Sequence, residues 1–315
     1  MALKPLVALA PAKLNVCLYV GPRRSDGLHE ICSLFQSITF ADEVTLTESD
    51  TEDEVVCPGV KGRNLAALAL AAFRERFGWN RPPVRITIEK RIPIAAGLGG
   101  GSADAAAVLR LACAASGIQP PREELVDLAM SLGADVPSQL EPGLALVTGA
   151  GERVEQLELG GRVAFVLLAR VGRLSTTEVY ARADELGLEQ RDLTAEAGAI
   201  RDVIDRSAST AGQGGAVALV PLVHNDLQRA AGGLEAAVPN ALALLHEAGA
   251  LAVQVSGSGP AAFGIFRSGV EAEGARRDLA EQWPGETVLA ASVDSAYGAP
   301  SPLDTVSSDR SGIGQ

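Results

Sequence analysis

Val84-Arg85-Ile86-Thr87-Ile88-Glu89-Lys90 alternates apolar and polar residues with a period of two, the pattern of a half-buried strand. Residues 6–20 carry a longer apolar run interrupted at Pro11-Ala12, which predicts a strand pair or one bent strand. Further strands are predicted at 31–40 and 44–46, before an acidic loop at 48–54. Residues 64–77 consist largely of strong helix formers and close at Gly78. A glycine-rich loop follows the alternating strand, then an alanine-rich helix from about 102 to 116 and a third helix over about 121–132, with Gly133 after it. The second half predicts a continuous apolar strand at 163–169, a helix at 177–186, a flexible loop at 207–215, and strands at 251–255 and 261–266 joined by Ser256-Gly257-Ser258-Gly259-Pro260. From about Gly298 the residues are small and polar, which predicts a disordered tail over 298–315. The class is α+β in two halves, with domains expected at 1–155 and 156–297.

Composition narrows the chemistry. The 315 residues carry 27 Lys+Arg against 39 Asp+Glu, a net charge of −12. That balance argues against a nucleic-acid or anionic-membrane surface, because both require clustered positive charge. Any anionic ligand must then be held locally, by backbone amides, a metal ion or a few placed cations. Only four residues are lysines: Lys4, Lys13, Lys61 and Lys90. The four cysteines (Cys17, Cys32, Cys57, Cys113) form no Cys-x-x-Cys pair, which favours a reduced cytoplasmic setting over zinc or disulfides. The apolar stretch near the N-terminus is shorter than a secretory signal needs, and no window is long enough to span a membrane.

The strongest local signal is Gly97-Leu98-Gly99-Gly100-Gly101-Ser102, four glycines at a strand-to-helix junction. Glycines let a ligand approach the backbone, and a helix N-terminus offers unpaired N–H groups and roughly half a positive elementary charge to a phosphate. Ser102 can cap that helix or place its hydroxyl on a phosphate or magnesium ion. The loop is neither a P-loop, since no Gly-Lys pair exists, nor a Gly-x-Gly-x-x-Gly fingerprint, since the third glycine falls on Ser102 or Asp104.

Pro11-Ala12-Lys13-Leu14-Asn15, the central glycine loop and Ser256–Ala261 together resemble, in order and spacing, the three motifs of the GHMP kinases, the family of galactokinase, homoserine kinase and mevalonate kinase. Asp26-Gly27-Leu28-His29 and Gly133-Ala134-Asp135-Val136-Pro137 resemble the branch of that family whose substrate carries a cytidine diphosphate. The resemblance implies a two-domain GHMP kinase fold with the active site in the interdomain cleft. It also implies ATP- and Mg²⁺-dependent phosphorylation of the 2-hydroxyl of a small cytidylyl sugar alcohol, with a homoserine- or mevalonate-type acceptor as the alternative within the family. A catalytically silent, ligand-sensing member of the fold is a further alternative, one that the presence of both Lys13 and Asp135 opposes.

Carried over residue by residue, the resemblance makes Lys13 and Asp135 the catalytic pair. It places Asn64, Gly97, Gly99, Gly100, Gly101 and Ser102 on ATP, and Asn15, His29, Thr176 and Tyr180 on the acceptor substrate. Ser102 is the one magnesium ligand it suggests. Asn64 also reads as a plain helix cap. The sequence departs from the family at Leu28, where an aromatic residue stacks on the cytosine, at Ala103, often a second Ser, and at Ser138-Gln139, where aromatics are common. The partner expected is therefore a small molecule, with no nucleic acid, no membrane and at most a weak homodimer.

Overall fold

The computed structural model describes residues 3–60, 62, 64–80, 82–187, 193–208 and 215–303. The first part of the chain runs through two long strands, Leu6–Arg23 (β1) and His29–Glu48 (β2), and a short one, Glu54–Val56 (β3). Helix Leu65–Phe77 (α1), strand Val84–Glu89 (β4), helices Gly100–Ser116 (α2), Arg122–Leu132 (α3) and Val136–Gln139 (α4), and the hairpin Leu144–Gly149 (β5) and Arg153–Leu157 (β6) follow. The second part comprises Ala164–Ala169 (β7), Thr176–Glu185 (α5), Leu193–Ala208 (α6), Gly215–Leu219 (α7), His224–Asn225 (β8), Gln228–Leu234 (α8) and Ala237–Glu247 (α9). It closes with Ala252–Val255 (β9), Ala262–Phe266 (β10), Gly269–Gln282 (α10), Glu286–Ala291 (β11) and Ser301–Pro302 (β12).

Two sheets organise these elements. The larger has eight strands, built on the order β12-β1-β2-β4-β3, with β5 and β6 extending from β2 and β8 pairing in parallel with β1. The smaller is antiparallel, in the order β11-β7-β10-β9. Leu14 and Leu34 of the first sheet and Phe165 and Phe263 of the second belong to one buried cluster that joins the two sheets. A second cluster lies between the first sheet and α1, α2 and α3, around Phe73, Leu70, Ile86 and the alanines of α2. A third packs Val166, Leu168 and Phe266 against Leu245 and Leu279 of α9 and α10.

Of the two alternatives at 6–20, the single strand is the one formed, and the two predicted strands at 31–46 are one continuous strand. The strand absorbs Pro11 because the register slips between Pro11 and Lys13, a bulge where no ladder N–H is required. The acidic loop leads into β3, whose three residues add a parallel edge strand. Helix α6 was not anticipated; it buries Ala197, Ile200, Ile204 and Ser207, positions three or four apart on one face. The loop expected at 207–215 starts inside α6 and ends inside α7, and its middle, 209–214, lies outside the described residues.

The tail expected from Gly298 begins as ordered chain. Pro302 and Ser301 pair with Leu6 and Val7, because β1 has an edge free there, while residues 304–315 lie outside the described residues. Strands β8 and β12 both belong to the second half of the chain and both join the first sheet. None of the described helices is long and apolar enough to cross a membrane.

Candidate active site

The glycine loop closes onto α2 through two left-handed residues. Gly99 is the helix N-cap at φ 69°, a region glycine enters without penalty. Ser102 therefore does not cap the helix: it sits within the first turn, and the side-chain cap predicted for it is absent. The first backbone bond of the helix runs from Ala103 N to Gly99 O, which leaves the N–H groups of Gly100, Gly101 and Ser102 without helical partners. Gly97, at φ 78°, packs so closely that a Cβ would collide with the Ser256 carbonyl. Ser256 donates its hydroxyl to Gly97 O at 3.0 Å, and Ala261 N donates to Ala96 O at 3.1 Å. The turn near the C-terminus thus braces the glycine loop.

Beside this loop lies a cleft of about 440 Å³. Lys13, Asn15, Asn64, all four loop glycines, Ser102, Asp135, Thr176 and Tyr180 line it. Lys13 Nζ stands 3.4 Å from Asp135 Oδ2, donates to Asn15 Oδ1 at 2.6 Å and lies 4.6 Å from the Phe35 ring centre. Its backbone N–H donates to Leu98 O at 3.0 Å, tying the strand to the loop. Asp135 occupies the position before α4, yet its side chain makes no capping bond, so the carboxylate is left for Lys13 and the cleft. The Lys13 side chain is 6% exposed and that of Asp135 35%, so the ammonium is sequestered while the carboxylate remains accessible.

Asn15 is more tightly engaged than an open ligand-binding side chain. Besides accepting from Lys13, it donates to Ser33 Oγ at 2.9 Å, and Ser33 donates onward to Cys17 O. Thr176 opens α5 behind its Ser175 cap and lies 3.0 Å from Ser258 Oγ, joining α5 to the bracing turn. Tyr180 lines the cleft, and burial pushes its phenol up, with the Asp135 carboxylate adding to the effect.

His29 does not line the cleft. Its ring stands 5.4 Å from that of Tyr180, its Nδ1 donates to Gly21 O at 3.0 Å, and its Nε2 lies 3.4 Å from Asp184 Oδ2. Leu28, at the family's aromatic position, is 50% exposed. Asn64 is the α1 cap, its Oδ1 accepting from Ala66 N at 2.9 Å, and the residue also lines the cleft.

A second charged cluster at the cleft was missed by sequence reasoning. Lys90 Nζ contacts Asp42 Oδ2 at 2.5 Å and Asp104 Oδ2 at 2.8 Å. Asp42 also accepts the backbone N–H groups of Arg91 and Ile92, fixing the start of the glycine loop. Burial pushes the Asp104 carboxyl up to about 7, with Lys90 opposing and Asp42 reinforcing the shift. Burial acts to lower the Lys90 ammonium, but the two carboxylates prevail and hold it above its ordinary value. The signal available in the sequence was Asp104 itself, a carboxylate among alanines on a buried helix face.

Magnesium is the ion that the sequence predicts. Among the described residues no group of three or more His, Cys, Asp or Glu side chains is arranged to hold a metal. The Ser102 hydroxyl lines the cleft and makes no hydrogen bond to any described residue. This set fits an ion carried mainly by phosphate oxygens, with few protein ligands.

Two family models match the chain: the GHMP kinases N terminal domain over residues 64–143 and the GHMP kinases C terminal domain over 201–285. A protein of Streptomyces avermitilis named 4-diphosphocytidyl-2-C-methyl-D-erythritol kinase is 42% identical over 257 residues, 79% of this chain and 84% of that protein. A protein of the same name from Mycolicibacterium gilvum is 40% identical over 301 residues, 93% of this chain and 92% of its own length. A crystal structure of a 4-(cytidine 5'-diphospho)-2C-methyl-D-erythritol kinase superimposes with a TM-score of 0.75 at 33% identity, covering 91% of this chain and 98% of that one.

Proposed function

This chain belongs to the GHMP kinase family, and from that premise we propose that it transfers the γ-phosphoryl group of ATP to the 2-hydroxyl of 4-diphosphocytidyl-2-C-methyl-D-erythritol, a step towards isoprenoid precursors. The observation that carries the chemistry is the Lys13–Asp135 pair at 3.4 Å, beside a helix N-terminus with three unpaired N–H groups. Phosphoryl transfer asks the protein for an aligned acceptor, a base for its proton and positive charge on the transferring oxygens. Asp135, exposed to the cleft and free of capping duty, accepts the proton of the acceptor hydroxyl. Lys13, beside that carboxylate, stabilises negative charge as it develops on the acceptor oxygen. The N–H groups of Gly100, Gly101 and Ser102 receive the ATP phosphates, and Asn64 and Leu65 stand where the base would lie.

Mg²⁺ bound with ATP neutralises phosphate charge, and Ser102 is the residue that would hold it. On the acceptor side Thr176 and Tyr180 line the wall. His29 stands behind Tyr180, and in this reading it orients that ring and reaches the cytosine only past it. Asn15 acts first on Lys13, and through it on the substrate. The relatives' printed names support the cytidylyl acceptor over homoserine or mevalonate. The proposed division near residue 155 falls within β6 of the first sheet, which β8 and β12 from beyond it also join, and four free cysteines fit a cytoplasmic setting.

The test is Asp135→Asn assayed with a panel of acceptor alcohols. We expect nucleotide binding to survive and turnover to fall by about 10²–10⁴-fold, the usual contribution of general-base assistance. Unchanged turnover refutes the mechanism. Transfer by the unaltered protein to another alcohol, and none to the cytidylyl substrate, refutes the substrate.

A further inference from the structure

Arg110 lies on α2 away from the cleft, and its guanidinium reaches three separate pieces of backbone. Its Nη2 donates to Leu9 O at 2.7 Å, its Nη1 to Gln139 O at 2.5 Å and its Nε to Gly298 O at 2.9 Å. Leu9 lies on β1, four residues before Lys13. Gln139 is the last residue of α4, the short helix that Asp135 begins. Gly298 belongs to the segment that leads into β12, and a Cβ there would sit 2.9 Å from Arg110 Nη2. Arg110 itself is on the helix whose N-terminus faces the phosphates. One side chain therefore spans the three elements carrying the catalytic lysine, the catalytic carboxylate and the phosphate-binding N–H groups.

The arrangement differs from an ordinary ion pair. Among the described residues no carboxylate pairs with Arg110; its acceptors are all carbonyls. Burial pulls the guanidinium down to about 10, and no described carboxylate bonds to it, although Glu141 and Glu152 line a small cavity that it borders. A planar fork is the one side-chain shape that can bind several carbonyls in fixed directions. This cavity, of about 120 Å³, is also bordered by Pro137 and Leu140 of the α4 region.

We propose that Arg110 is a positioning residue for phosphoryl transfer, setting the placement of β1 and α4 on α2 and with it the alignment of Lys13 and Asp135 towards the phosphates. The inference rests on the roles given above to Lys13 and Asp135. A displacement of about 1 Å in a positioned group can cost about 10²-fold in rate. The nucleotide contacts lie at the other end of α2, so loss of Arg110 should change kcat and leave the KM for ATP nearly untouched.

The experiment compares Arg110→Ala, Arg110→Lys and Asp135→Asn in steady-state kinetics, with added methylguanidine as a rescue agent. For Arg110→Ala we expect kcat to fall ten- to a hundredfold, with KM for ATP within threefold. Methylguanidine, entering through the adjoining cavity, should restore at least a fifth of the lost kcat, whereas thermal stabilisation alone should not. Arg110→Lys keeps the charge but cannot fork to three carbonyls, so its kcat should also fall at least tenfold; it carries the test if the alanine variant does not fold. The inference is overturned if the folded variants keep kcat within twofold of the parent, or if kcat falls with no methylguanidine rescue. Should Asp135→Asn leave turnover intact, the catalytic reading fails first. Should Asp135→Asn abolish turnover while the Arg110 variants retain it, only the positioning role fails.

Discussion

Two lysine–carboxylate clusters line the same cleft, and they are built to opposite specifications. Lys90 is held by two carboxylates at 2.5 and 2.8 Å, with Asp42 fully buried and Asp104 nearly so. Lys13 has one carboxylate at 3.4 Å, a neutral amide and an aromatic face, and its acidic partner is open to solvent. The tight cluster spends its charge internally and pins the start of the glycine loop. The loose cluster keeps its carboxylate open to the cleft, beside a sequestered ammonium. The lesson is that in this cleft the tighter ion pair fixes a loop, and the longer, half-open pair is the one proposed for the chemistry.

Lys13→Met should produce the largest effect. Turnover should drop by about 10²–10³-fold, in line with losing one preorganised electrostatic donor, and the melting temperature should change little. A comparable loss of folding stability would erase the contrast between the clusters.

Lys90→Met should reverse the pattern. It strands two buried carboxylates, and breaking a buried pair in this way costs about 3–5 kcal/mol. Chemical denaturation should register that loss, and a variant as stable as the parent would show the tight cluster to be dispensable.

Asp104→Asn should be the mildest change and is visible mainly in its pH dependence. The folded carboxyl titrates near 7, against an ordinary value of 3.8, so between these limits the folded state holds a proton that the unfolded chain has released. Its contribution to stability is therefore greatest at the acid end and falls as pH rises towards 7. The stability difference between parent and Asp104→Asn should shift against the parent from pH 5.5 to 7.5. A difference constant over that range would place the titration elsewhere.

The clusters also divide by how they could be read from the sequence. Lys13 and Asp135 fall inside short motifs whose order and spacing resemble a family, so their pairing across 122 positions was legible. Asp42, Lys90 and Asp104 lie in no such motif, and only the β2–β4 register and the entry of α2 bring them together. Helix α1 was legible from Asn64 and Gly78, which act as its caps. Capping was one of two readings of Ser102, which has the preferred side chain, but backbone conformation gives the position to Gly99. The reading left β1 open between one strand and two because a bulge at Pro11 looks like a break until its partner strand is seen. The pairing of β12 with β1 joins residues nearly 300 positions apart, which no local pattern encodes.

The Ser256 hydroxyl, close to both Gly97 O and the backbone of Lys13 and Asn15, has a consequence for how the protein comes into being. The glycine loop and Lys13 leave the ribosome well before the turn that braces them, since Ser256 lies 159 positions after Gly97. The carbonyl of Gly298 that Arg110 awaits arrives later still. A nascent chain therefore carries the residues proposed for phosphoryl transfer long before it carries their geometry.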